Sequence, residues 1–296
     1  MRVSYGRCPR EGRMSTGRRS LWLIAPALVL IGIFLVLPYL NIVLMSLRPP
    51  AVGAPYGPGL TTANFTRIFG DAYFLGVLAD TVWLGLKTTL ICALLGYPVA
   101  FHLARTQSRW KGLLYIFVLS PLLVGVVVRS FGWLILLSGN GVINQWLRGL
   151  GLIEMPLTLM NNSFGVTLAL VHVFLPFMIL PLIGAIQSID PNLALAARSL
   201  GASPYQVFRR VWLPLSWPGV QAGCILVFVL ALSAYVTPVM LGGAQVKTMS
   251  VLVVQALIDN FRWPAGAALA LVLAATGGLA VWLFVRASRS MMRGLE

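Results

Sequence analysis

Few residues in this 296-residue chain have the chemistry of a reactive site. Lys87, Arg129 and His172 sit inside long apolar runs, and His102 lies near the end of one. An ionisable group in such a run is a functional candidate by default, because burying it is costly. Trp83, Trp133, Tyr235 and Thr237 share the runs and have ring faces or hydroxyls suited to a polar path. Each has a plainer reading as well. Lys87 and Arg129 can snorkel, or pair with Asp80 or backbone carbonyls. The histidines can hydrogen-bond a neighbouring helix, and the aromatics can form interfacial belts or ordinary core. Lys87, Arg129, His172, Tyr235 and Thr237 are kept as the candidate path-lining set.

Covalent chemistry finds no footing. There is no H-E-x-x-H, no G-x-S-x-G and no carboxylate pair in the apolar runs. There is no G-x-x-x-x-G-K-[ST] and no Gly-Lys dipeptide, so the chain has no such loop to cradle nucleotide phosphates. Cys8, Cys92 and Cys224 make no C-x-x-C pair, which supports neither a disulfide framework nor a zinc site. No metal ligands and no catalytic residues are expected.

The elements that carry these residues follow from composition. Hydrophobic residues make up 58% of the chain and charged residues 10%, with a mean hydropathy of +0.88. That leaves too little polar surface for a soluble enzyme. Six stretches reach the roughly 20 apolar residues that a membrane-crossing helix needs. They run approximately over Leu21–Leu47, Tyr73–Leu103, Leu113–Ser138, Phe164–Gln187, Gly219–Leu241 and Ala265–Val285. The reading is all-α and polytopic: a basic tail over 1–20, then one transmembrane domain over 21–296. The Arg18-Arg19 pair before the first run resembles an export signal. The run is too long for a signal core and has no A-x-A site, so it is read as a retained span.

Charge sets the orientation. The chain carries 22 Lys+Arg against 7 Asp+Glu. With the N-terminus placed in the cytoplasm, 15 basic residues fall on the inner side and 5 on the outer. That split follows the positive-inside rule and puts both termini inside. Scattered over separate inner segments, the arginines do not form a nucleic-acid patch. The outer loop over 48–72 is rich in Pro and Gly and cannot begin as a helix. Asn140–Gly151 and Ser250–Phe261 read as short interfacial helices.

The inner segment over 188–217 is strongly patterned. Asp190-Pro191 reads as an N-cap with Pro at the first helical position. Gly201 fits a helix C-terminus. Ser203-Pro204 starts a second helix, and Gln206 completes a capping box. That helix is expected to end near Leu213, stopped by Pro214 and Pro218. Leu193, Ala196, Ala197 and Leu200 share one face, and Ala194, Ala196, Ala197, Gly201 and Ala202 allow close approach. Two readings stay open: a connector packed on its own bundle, or a knob for a cytoplasmic partner.

Leu195-Ala196-Ala197, Gly201 and Val211-Trp212-Leu213-Pro214 resemble the EAA loop of bacterial ABC-importer permeases, E-A-A-x3-G-x9-I-x-L-P. Ala196, Ala197, Gly201, Leu213 and Pro214 match, Val211 is conservative, and Leu195 stands where that family has Glu. Gly139-Asn140-Gly141, Leu175–Leu182, Tyr235-Val236-Thr237-Pro238 and Leu241-Gly242-Gly243 look like the spermidine/putrescine-type subfamily. The resemblance implies a type I permease of the bacterial inner membrane, importing a small polar, polyamine-like solute. It implies two ABC ATPase subunits that use ATP and Mg, a second related permease and a periplasmic solute-binding protein. No cofactor is expected on this chain. ATPase coupling would fall to Ala196, Ala197, Arg198, Gly201, Ala202, Val211, Leu213 and Pro214. The path-lining set would serve translocation. The rival reading is an ion-coupled secondary transporter. Against it, the spans lack Glu and show no paired repeat.

Overall fold

The computed structural model describes residues 16–51 and 54–293. Among these residues the chain is all-helical, and six helices are long and apolar enough to cross a membrane. Most of the basic tail expected over 1–20 lies outside the described residues.

The central layer is three helices: α3 (Ala72–Arg105), α7 (Ser163–Gln187) and α10 (Leu213–Ser233). The α7 helix is the most buried span, because α3 and α10 pack against it from two sides. Apolar matter does not drive helices together in lipid, so close backbone packing must. Glycines supply it. Met178 of α7 lies between Gly96 of α3 and Gly223 of α10. A Cβ on Gly223 would stand 2.6 Å from Met178 Sδ, and one on Gly219 would stand 2.9 Å from the Pro181 carbonyl oxygen.

A second, smaller core joins α2 (Ala63–Gly70), the start of α3, α11 (Met249–Val254) and α12 (Trp263–Arg293). Asn64 of α2 donates to the carbonyls of Ser46 (2.8 Å) and Arg48 (2.9 Å), which ties α2 to the end of α1 (Thr16–Ser46). The α1 helix leans on α12 and leaves most of its apolar surface uncovered by the chain.

Four sequence expectations change. The third crossing stretch is Val126–Gly149, and the helix expected over Leu113–Ser138 is not continuous. It splits into α4 (Lys111–Leu123) and α5 (Val126–Leu137), with Val124 and Gly125 extended between them. Pro121 removes a helical N–H just upstream, and the break follows within a turn.

The second helix of segment 188–217 does not stop at Leu213. From α9 (Pro204–Val207) it passes through a π turn over Phe208–Trp212 into α10. The wide turn tolerates the missing N–H of Pro214, with the Leu213 N–H bonded back to the Phe208 carbonyl.

The fifth span ends at Ser233, and Ala234 and Tyr235 lie outside any helix. Finally, the helix expected at Ser250–Phe261 is not interfacial at its start. Met249, Ser250, Val251 and Leu252 are buried, with Met249 N–H donating to Thr81 Oγ1 (2.9 Å) and Ser250 Oγ to the Ala234 carbonyl (2.5 Å).

The other short helix, α6 (Val142–Gly149), does expose Val142 and Trp146. Its buried residue is polar. Asn144 donates to the Ser138 and Leu157 carbonyls (both 3.1 Å) and accepts from Leu157 N–H (2.8 Å).

Candidate functional site

The helix pair after α7 begins with α8 (Pro191–Ser199). Asp190 caps it, its carboxylate accepting from Asn192 N–H at 2.9 Å. At the other end Gly201 takes φ +85°, and Ala202 N–H bonds back to the Ala197 carbonyl at 3.1 Å. This is the left-handed C-terminal closure that favours glycine. Ser203 and Gln206 form the reciprocal capping box, with Ser203 N–H donating to Gln206 Oε1 (2.8 Å) and Gln206 N–H to Ser203 Oγ (3.3 Å). The local geometry read from the sequence is all present.

No residue of α8 is buried. Leu193, Leu195 and Leu200 are exposed, and Leu200 reaches 89%. Ala196, Arg198 and Gly201 are exposed too, while Ala197 and Ala202 are half-buried. The helix packs only lightly on its own bundle, with Ala194 and Ala197 half-buried. Val211, Leu213 and Pro214 are half-buried where the π turn enters α10.

The anchor of the pair is a residue that the sequence reading assigned only to topology. Arg105 ends α3, and its Nη2 donates to the carbonyls of Ile186 and Ile189, both at 2.8 Å. Its guanidinium lies 4.1 Å from the Trp212 ring centroid. Phe101 meets Trp212 edge-on at 5.3 Å, and Tyr97 meets Phe208 edge-on at 5.5 Å. Tyr97 Oη and Ser216 Oγ are hydrogen-bonded at 2.9 Å. The signal was in the spacing: Tyr97, Phe101 and Arg105 recur every four residues, as do Phe208, Trp212 and Ser216. Beside this ladder lies an open cleft of about 740 Å³ between α3 and α10, lined by Leu94, His102 and Val220 among others.

The path-lining candidates divide. Three polar meetings fall close together on α5, at Arg129, Ser130 and Trp133. Arg129 donates to the Pro121 carbonyl across the break, which satisfies a carbonyl at the end of α4. Ser130 and Thr237 hydroxyls lie 3.3 Å apart. Trp133 Nε1 donates to His172 Nδ1 at 3.2 Å. His172 is exposed, Tyr235 half-buried and Thr237 buried. Lys87 stands apart from them. It donates to Ser163 Oγ at the start of α7 (2.7 Å) and lies 5.9 Å from the Trp83 ring, so Ser163 rather than Asp80 is its partner. Among the described residues no cluster of His, Cys, Asp and Glu has the makings of a metal site.

Six apolar stretches of crossing length, a polar cluster at the α4–α5 break and a capped, exposed helix pair describe a multi-pass membrane helix bundle. The fold matches that of a permease chain in a bacterial alginate ABC transporter crystallised with its alginate-bound periplasmic protein. The TM-score is 0.74 at 18% identity, covering 95% of this chain and 99% of that one. In sequence, the chain is 33% identical to the spermidine/putrescine transport system permease protein PotB of Haemophilus influenzae, over 89% of this chain and 92% of that protein. To PotB of Escherichia coli it is 35% identical, over 80% and 86% respectively. Residues 92–293 match the family described as binding-protein-dependent transport system inner membrane component. The chain belongs to that family. It is a multi-pass permease of the inner membrane, and the ion-coupled alternative is set aside.

Proposed function

We propose that this chain is one of two permease subunits in an ATP-driven importer of a polyamine-like cation. The exposed, doubly capped α8 carries the reading, since a helix with no buried residue needs a partner to account for its apolar face. Ala196, Ala197, Arg198, Gly201 and Ala202 form the surface on which a separate ATPase docks. Val211, Leu213 and Pro214 pass its motion into α10. Two such ATPases hydrolyse ATP with Mg, and closing their dimer switches the permease pair from outward to inward access. Both termini and segment 188–217 face the cytoplasm, in keeping with the basic excess there. A related but distinct permease covers the exposed apolar face of α4 and α5, where Leu123, Val128 and Phe131 lie open.

The solute reading rests on the PotB relatives. A polyamine would seek carboxylates and ring faces. The spans carry one carboxylate, Asp80, so a periplasmic binding protein supplies most of the selection. His172 is the exposed member of the proposed path, with Lys87, Arg129 and Tyr235 half-buried. Arg129 and Lys87 set its charge from fixed positions, and Thr237 holds the turn after α10.

Co-purification tests the partners, and uptake tests the solute. A tagged chain should bring down an ATPase and a second permease from the native membrane. Vesicles holding the complete complex should take up radiolabelled spermidine or putrescine only with binding protein and ATP. Recovery of the chain alone, or competition by unrelated solutes but not by polyamines, would count against the corresponding half.

A further inference from the structure

The docking pair grips the bundle at its edges, through buried Ile189 before α8 and Val207 of α9, and not through α8 itself. No α8 residue is buried, and the junction into α10 is a π turn, a wide turn that breaks helical regularity. A push on α8 would be absorbed by bending at that turn unless something braced it. The ladder from α3 meets the turn at that place: Tyr97 and Phe101 against Phe208 and Trp212, with Arg105 over Trp212.

Arg105 adds a second grip. One nitrogen, Nη2, donates to Ile186 in the last turn of α7 and to Ile189 just before α8. The Ile186 carbonyl lies in the last turn of α7, where it also accepts from Ile189 N–H at 3.3 Å, and a cation is favourable at that helix end. A single guanidinium therefore touches the end of α7, the entry to α8 and the exit into α10. The length of α3 permits this. At about 1.5 Å per residue its 34 residues span about 51 Å, well beyond a hydrocarbon core of roughly 30 Å.

We propose that Arg105 is a positioning residue for energy coupling: it braces the π turn through Trp212 and clamps segment 188–217 to α3, so that force on α8 moves α3, α7 and α10 as one block. The inference rests on the reading of α8 as the ATPase dock. Lysine retains the charge and the donors but not the planar stack on Trp212, whereas glutamine loses the charge and the reach.

The test uses the complete importer in vesicles, with wild type, R105K, R105Q and W212L. Each is also made with Leu195→Cys, an exposed position for cross-linking to the ATPase. The readout is ATP hydrolysed per solute imported by assembled complex. We expect the cross-link to persist throughout. The ratio should rise about tenfold or more in R105Q and W212L, the scale of a typical coupling between sites, and less in R105K. A residue needed only for folding would lower the amount of complex and leave the ratio unchanged. If R105Q fails to assemble, W212L carries the same expectation and R105K a smaller rise. An unchanged ratio with the cross-link intact overturns the role of Arg105. Failure of the wild-type background to cross-link overturns the docking reading itself, and this inference with it.

Discussion

Single residues here act through space and through stranded polar groups, and the two can be tested apart. Gly223 has no room for a side chain, since its Cβ would meet both Met178 Sδ and the Met178 backbone. Gly184, on α7, has nothing within 4 Å. Gly223→Leu should therefore lower the thermal midpoint of the detergent-purified subunit, by about 1–3 kcal/mol of overpacking or more. Gly184→Ala should leave it unchanged or raise it slightly, because alanine favours helix by roughly 0.5–1 kcal/mol over glycine. Equal effects of the two would refute glycine-mediated packing. Asn144→Leu leaves the Ser138 and Leu157 carbonyls with their backbone donors but takes the acceptor from Leu157 N–H, at a cost of about 1 kcal/mol. Hydrogen exchange at Leu157 N–H should accelerate in that variant, and unaltered protection would show that Asn144 is dispensable.

At the scale of elements, the ends of helices proved easier to read than their continuity. Asp190, Gly201, Ser203 and Gln206 announced α8 and α9 because capping is local chemistry, set by a side chain and a backbone group a few residues apart. The break at Val124–Gly125 and the passage through Pro214 and Pro218 were not legible. A proline removes one N–H wherever it stands. Whether the helix stops, kinks or widens depends on groups beyond the proline's own turn, such as Arg129 two turns on from Pro121 or the ladder that α3 brings to the π turn. Arg105 was missed for a related reason: its partners Ile186, Ile189 and Trp212 lie far along the chain. The Gly201 corner allows a sharp element-scale test. Its φ is +85° while the space around it is open, so conformation alone restricts the position. Gly201→Asn should retain transport, because asparagine tolerates the left-handed region. Gly201→Val should uncouple ATP hydrolysis from uptake while still inserting. Full coupling in the valine variant would remove the corner from the mechanism.

Over the whole molecule, hydrophobicity became six spans, and the charge excess became a statement about orientation. That orientation has a direct chemical test. A membrane-impermeant thiol reagent applied to spheroplasts should label a cysteine at Met155, exposed beyond α6, without permeabilisation. It should reach a cysteine at Leu200 only after the membrane is opened. The reverse pattern would invert the topology and the assignment of segment 188–217. The two hydrophobic cores suit rocking, since α3, α7 and α10 share one and α2, α11 and α12 share the other with the start of α3. The central claim is that this chain is moved by a partner ATPase through the exposed helix pair. Its most direct test is spermidine uptake by the reconstituted complex, with ATP hydrolysis recorded in the same vesicles, for wild type and Gly201→Val. The account predicts uptake that requires ATP in the wild type, and hydrolysis without uptake in the variant. Uptake that continues without ATP, or a variant that transports as the wild type does, would contradict it.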